Sequence, residues 1–309
     1  MKLHFYFMLL IGVLICLPEA ANAQDSDNTL VATAAAASIM DTSQSTTSTA
    51  PPPASSDGGF FNTWFSMVSR TQAEQPHWIT PLATTTPRLE QEFRYDVQWQ
   101  PKSNGTVTDN YGVTKGLEII PLERVEIILS VPPYIVHNNP SQKDGFGDFQ
   151  SLIKFRILSS NEEHGNYILT AFLSISAPTG QFSNGVTDPV ITPTLAYGKG
   201  FGDFDIQGTI GVSLPAGNTK AIGRTVPWNN AFQYRIYKKI WPEIEVNYTY
   251  FDQGAHDGKT QVYLTPGVVL GKFHLWKRLG FTIGGGFQVA TTHFNTSNHN
   301  GIFSVRFPF

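Results

Sequence analysis

The sequence predicts an all-β chain, a transmembrane antiparallel up-and-down β-barrel of about 12 strands behind a disordered N-terminal leader, and three observations predict it. Only 15% of residues are charged, against roughly 25% in a soluble domain, while the chain holds 22 Phe, 11 Tyr and 6 Trp. From residue 90 the hydrophobic period is two: Glu92-Phe93-Arg94-Tyr95-Asp96-Val97-Gln98-Trp99-Gln100 alternates polar and apolar throughout. The chain ends in a strand with Phe303, Val305, Phe307 and Phe309 on one face and Ser304 and Arg306 on the other. After residue 23 no run reaches the roughly 18 consecutive apolar residues of a spanning helix, so an apolar surface must be spread over alternate strand residues.

Residues 1–23 read as a secretory signal. Lys2 supplies the positive start, an apolar run from Phe5 to Leu17 follows, and Ala21-Asn22-Ala23 is a small-x-small cleavage site. Export with cleavage after Ala23 is expected, to the bacterial outer membrane. The one cysteine, Cys16, lies within the signal, so a mature chain has neither a disulfide nor a cysteine metal site.

Residues 24–89 are rich in Ser, Thr, Ala, Pro and Gln, a composition that buries too little apolar surface to offset chain entropy, and they are expected to be a mostly disordered leader. Within them Phe60, Phe61, Trp64, Phe65 and Val68 fall at helical spacing. They suit a short helix docked in a barrel mouth or lying on the inner leaflet, or a hydrophobic spot without fixed structure.

The barrel is expected over 90–309, with strands near 90–100, 113–120, 122–131, 147–158, 166–177, 189–198, 203–214, 225–238, 241–251, 260–270, 279–290 and 301–309. The joins alternate. Short ones centre near Pro121, Glu162, Lys199, Lys239 and Trp276, and longer polar ones cover 101–112, 132–146, 178–188, 215–224, 252–259 and 291–300. Short periplasmic turns and long outer loops give this alternation in bacterial barrels.

Alternation assigns the faces. Phe93, Tyr95, Val97, Ile153, Phe155, Leu173, Ile244 and Phe287 are among the lipid-facing candidates, and Trp99, Tyr250 and Trp241 suit interfacial girdles. The opposite faces carry a lumen-lining charged belt: Glu92, Arg94, Asp96, Glu118, Glu126, Lys154, Arg156, Asp203, Asp205, Arg235, Glu243, Glu245 and Arg306. Strand direction gathers these charges toward the periplasmic half and leaves Thr170, Ser174, Thr192, Thr209 and Thr265 to a neutral outer half. The belt suits either a self-satisfied polar network that fills a small barrel or a constriction that selects solutes. The terminal Phe303, Val305, Phe307 and Phe309 are expected to be the edge read by the barrel assembly machinery through β-augmentation.

Gly145-Phe146-Gly147-Asp148-Phe149 recurs as Gly200-Phe201-Gly202-Asp203-Phe204, and Ser176-Ala177-Pro178-Thr179-Gly180 is echoed by Ser213-Leu214-Pro215-Ala216-Gly217. With Thr187-Asp188-Pro189 and the aromatic last strand, residues 90–309 resemble the outer-membrane family named for the MetA pathway of phenol degradation. The resemblance implies a barrel transporter for hydrophobic or aromatic compounds. The Ser/Thr/Pro leader departs from that pattern.

Three function classes remain. The leading one is an outer-membrane channel or transporter for small, hydrophobic or aromatic, solutes. The others are a structural or surface-interaction barrel and an outer-membrane lipid hydrolase using Ser297 with His299 or His293, although the His-x-Ser-Asn-Gly order of such enzymes is missing. No enzyme activity, cofactor or metal is expected: no phosphate loop or zinc spacing occurs. The expected partners are outer-membrane lipid, the assembly machinery and a small-molecule solute. A net charge of −3 gives no field for nucleic acid.

Overall fold

The computed structural model describes residues 59–102, 105–113 and 115–309; the expected export signal, its expected cleavage site and the leader up to residue 58 lie outside them. Sixteen strand segments follow one another: β1 (Glu92–Pro101), β2 (Val107–Tyr111), β3 (Gly116–Leu122), β4 (Val125–Ser130), β5 (Tyr134–His137), β6 (Gly145–Phe146), β7 (Phe149–Ser160) and β8 (Tyr167–Ala177), then β9 (Val190–Phe201), β10 (Phe204–Gly211), β11 (Leu214–Pro215), β12 (Thr225–Tyr234), β13 (Ile240–Phe251), β14 (Thr260–Trp276), β15 (Leu279–Ala290) and β16 (His299–Pro308). Four pairs are halves of single interrupted strands: β2 with β3, β4 with β5, β6 with β7, and β10 with β11. Sixteen segments less four interruptions leave twelve staves, all antiparallel. β16 pairs back on β1, from Glu92↔Pro308 to Trp99↔Gly301, which closes the sheet and leaves no edge.

Period-two patterning sets the two faces. Ile153, Phe155, Leu173, Ile175, Ile244 and Phe303 project outward and are exposed, while Lys154, Thr170 and Phe172 on the alternate positions are buried. An outer face this apolar is matched by hydrocarbon and not by water.

Several expected boundaries shift. Residues 107–111, 134–137 and 145–146 are ladder-paired, although these runs are too short to display the alternation that marks the other strands. β14 extends to Trp276 across register shifts after Leu270 and His274. Trp241 is not a girdle residue. It shares a face with Glu243 and Glu245 and is 5% exposed inside the lumen.

Residues 59–89, assigned by composition to a disordered leader, are built into the barrel. Helix α1 (Phe60–Ala73) crosses the mouth at the short-turn end. Trp64 Nε1 donates to the Ile120 carbonyl at 2.8 Å, and Val68 is buried with Leu89 and Ile120. Arg70 pairs with Glu123 at 2.5 Å, and Arg278 donates to Ser69 Oγ at 2.9 Å while lying over the Phe65 ring. Phe60 and Phe61, expected on the docked face, stay exposed because they precede the turn that reaches the rim.

After α1 the chain enters the lumen and returns over 75–91 without helix or strand. Gln75 closes the neck of this loop: its Nε2 donates to the Leu89 carbonyl at 2.7 Å and its Oε1 accepts the Leu89 N–H at 2.9 Å. All but His77, Ala83 and Thr85 of this stretch are buried. Composition misjudged it because its apolar residues need no core of their own. Trp78, Ile79 and Leu82 complete a cluster with Ile168, Trp241, Val269 and Ile302 on the barrel wall. Trypsin is therefore expected to leave the bond after Arg88, 1% exposed, uncut in the folded barrel and to cut it after heat unfolding; cleavage at Arg88 with the barrel intact would contradict the insertion.

Candidate functional site

A segment with no ladder of its own leaves each buried backbone N–H and C=O in need of a partner, and an unmet one costs about 1–3 kcal/mol. Pro76, Pro81 and Pro87 remove three donors from 75–91. The belt supplies most of the remaining partners, divided by sign. Cations and amides take the carbonyls: Arg94 donates to Pro81 O at 3.2 Å and Leu82 O at 2.5 Å, and Arg306 to Thr80 O and Pro81 O. Lys154 donates to Arg88 O at 3.0 Å, Gln207 to Ile79 O at 2.9 Å and Thr170 to Pro87 O at 2.6 Å. Carboxylates take the amides: Glu243 accepts Leu82 N at 3.0 Å, Glu245 accepts Ala83 N and Thr84 N at 2.7 and 2.5 Å, and Glu126 accepts Glu90 N at 2.5 Å. A belt of mixed sign is what a backbone, positive at N–H and negative at C=O, requires.

Eleven of the thirteen belt residues are buried side chains of the inner face: Glu92, Arg94, Asp96, Glu118, Glu126, Lys154, Arg156, Asp205, Glu243, Glu245 and Arg306. Ion pairs hold several in place, Arg94 with Asp96 at 2.8 Å and Lys154 with Glu126 at 2.9 Å. Arg156 donates to Thr71 O at 2.7 Å and pairs with Glu74, so it grips the end of α1. Gln207 joins Asp205 to Gln233, which donates to Glu243 at 2.5 Å. Asp203 and Arg235 do not line the lumen. They pair with each other at 2.7 Å on the short-turn rim, half exposed, because Asp203 sits in the two-residue turn that begins at Gly202, φ +65°.

The wall is also shaped to the segment. A Cβ on Gly267, Gly284 or Gly286 would lie 2.5–2.8 Å from the Leu82 methyls, and one on Gly198 or Gly200 would strike the Trp78 indole at 2.5 and 2.7 Å. Bare glycine backbone thus forms two hollows on the inner face, one for each side chain. At the neck, Glu162 accepts from the His77 N–H at 2.6 Å and meets its ring at 2.8 Å. Burial alone would raise the Glu162 carboxyl, but these bonds outweigh it and hold the group below the usual carboxylate range.

Above the tip of the segment lies a cavity of about 210 Å³, bordered by Thr85, Lys115, Phe172, Ser174, Thr192 and Thr209 among others. Sequence reasoning missed Lys115, Gln75, Arg88, Glu90 and the glycine hollows. Parity puts Lys115 outside, but β1 advances four residues from Phe93 to Val97 while its partner advances six from Tyr111 to Leu117, and in this irregular stretch alternation lapses, so that Lys115 and Gly116 are both buried.

The two copies of the glycine motif act differently. Asp148 accepts Gly180 N and Val186 N, both at 2.8 Å, and so folds the long loop 178–188, whereas Asp203 makes the rim pair above. The hydrolase constellation is not assembled. The Ser297 hydroxyl is bonded to the Tyr263 hydroxyl at 2.9 Å, and His299 lies between the Trp99 and Phe287 rings.

No protein-family model matches the sequence, and no curated protein matches it. Among solved structures, an outer-membrane channel from Pseudomonas putida F1 is similar with a TM-score of 0.50 at 14% identity, over 74% of this chain and 98% of that one. The NanC porin aligns over 70% of this chain and 98% of its own at 10% identity, with a TM-score of 0.45. The first likeness is one of fold.

Gly284→Val is expected to lower the thermal midpoint of the detergent-solubilised barrel, at a cost of about 1–3 kcal/mol, and the cost should shrink when Leu82→Ala is added. Strictly additive effects in that double-mutant cycle would show that Leu82 does not occupy the hollow.

Proposed function

We propose that the chain is an outer-membrane channel for small solutes, hydrophobic or aromatic ones among them, gated by its own segment 75–91. The observation that carries this reading is a polar lumen, inside a cylinder with an apolar exterior, that holds a cavity on one side of an inserted segment tethered at one mouth. The short-turn end, where α1 and the last strand lie, is then periplasmic, and the long loops face outward. Export by residues 1–23 with cleavage after Ala23, and recognition of the edge bearing Phe303, Val305, Phe307 and Phe309 by the assembly machinery, complete the route to the membrane. The resemblance to the MetA-pathway family supports the solute class, and the fold shared with the Pseudomonas channel supports conduction.

Opening withdraws 75–91 toward the periplasm. Water then replaces backbone on Arg94, Arg306, Glu243 and Glu245, so charges pass from one set of hydrogen bonds to another and are never bare. Trp78 and Leu82 leave their hollows, which exposes apolar surface and biases the resting state toward closure. The alternative, a structural or surface-interaction barrel, draws on the same bonds between belt and segment: a lumen filled in this way needs never open.

Planar-bilayer recordings separate the two. The intact protein is expected to show brief openings of low current, and Glu243→Gln with Glu245→Gln longer and larger ones, because neutral amides hold Leu82, Ala83 and Thr84 less firmly. Silence in both proteins, with no liposome swelling, would favour the structural barrel.

A further inference from the structure

We infer that the cavity above the segment tip is a binding site for a small organic monocarboxylate with an apolar or aromatic body, anchored by Lys115 and Thr85. This goes beyond gating and rests on the channel reading only for its physiological use. Lys115 is 8% exposed and makes no ion pair with any described carboxylate; its one side-chain hydrogen bond runs from Nζ to Thr85 Oγ1 at 2.9 Å. An ammonium withdrawn this far from water with no carboxylate at ion-pair distance is costly, even with Glu118 and Asp96 in the same part of the lumen, and an anion in the adjoining space lowers the cost.

The surroundings select the anion. None of the residues bordering the cavity is acidic, and Lys115 is its only charge. Nζ has three donors and spends one on Thr85, so two remain for a carboxylate, while the Thr85 O–H, already accepting from Lys115, can donate to the same group. Phe172, Ile128 and Leu152 border the space on the wall and suit a ring or short alkyl chain. Ser174 and Thr192 offer hydroxyls with no side-chain partner among the described residues, which suits a substituent on that body. At about 210 Å³ the space lies below the usual drug-pocket range of roughly 300–1,000 Å³ and fits a small acid.

The site spans two parts of the molecule. Lys115 belongs to the wall and Thr85 to the inserted tip, so the site is complete only with the segment in place. Its ligand therefore stabilises the closed lumen by mass action.

Calorimetry on the folded protein in a non-ionic detergent, with benzoate as the probe and benzyl alcohol and chloride as controls, tests the site without need of conduction. Benzoate is expected to bind while benzyl alcohol and chloride at equal concentration do not. Lys115→Met should weaken binding at least tenfold, Thr85→Val severalfold, and Lys115→Arg should restore most of it. Heat-modifiable gel mobility verifies that each variant is folded, and should Lys115→Met fail to fold, the Thr85→Val and Lys115→Arg pair decides. Equal binding of benzyl alcohol, undiminished binding in Lys115→Met, or no heat with benzoate would overturn the site. Benzoate binding to a protein that passes no current would keep the site and refute the channel, and current without benzoate binding would do the reverse.

Discussion

The structure turns on the hydrogen-bonding demand of one irregular stretch of backbone. Residues 75–91 lie inside a closed sheet whose own amides and carbonyls are already paired around the ring, so the wall offers them no ladder. Apart from Gln91, whose carbonyl accepts the Phe309 N–H at 3.0 Å, the segment is met by side chains, and they must come in both signs. Arg94, Arg306 and Lys154 answer carbonyls; Glu126, Glu243 and Glu245 answer amides. A belt of one sign would leave half of the backbone unpaired and a row of like charges buried. These six belt residues are thereby tied to the segment, and the segment, once seated, gives them partners that would otherwise be water in a narrow lumen.

Packing adds what hydrogen bonds lack, a fixed register. Glycine backbone at 267, 284 and 286 admits Leu82, and at 198 and 200 admits Trp78. A shift of the segment by one residue would drive Pro81 or Ala83 against a hollow sized for Leu82 and would misalign every carbonyl with its cation. Gln75, bonded to both backbone groups of Leu89, fixes where the loop begins and ends, and α1 moors that neck to the turn after Leu122. Because the strands and the inserted loop share these contacts, movement of the loop is expected to be all-or-none and not a gradual loosening.

Much of this was legible in the residues. Strict alternation in Glu92–Gln100 and in β13 fixes which side chains face inward, and the joins fix twelve staves, because a lipid-matched strand allows no other period. The belt was visible for the same reason. Its partner was not: Thr80-Pro81-Leu82-Ala83-Thr84-Thr85-Thr86-Pro87 has no period, and composition measures whether a segment can fold alone, not whether another part of the chain holds a place for it. The prolines, counted toward a disordered leader, are better seen as lowering the number of amides to be satisfied. Trp78, Leu82 and Leu89 in a polar stretch were the available hint. Trp241 was misplaced by reading aromatic character before strand phase, and Lys115 was missed because alternation lapses in an irregular stretch that no sequence pattern marks.

With the loop seated the lumen is filled, and on the gating proposed above any passage through it is an event of loop withdrawal. The most direct measurement is hydrogen exchange on the folded protein in lipid, read at single amides. Leu82, Ala83, Thr84 and Glu90, bonded to wall carboxylates, are predicted to exchange as slowly as the ladder amides of β13. Exchange of these four at the rate of a free chain, with β13 still protected, would mean that the segment does not occupy the lumen.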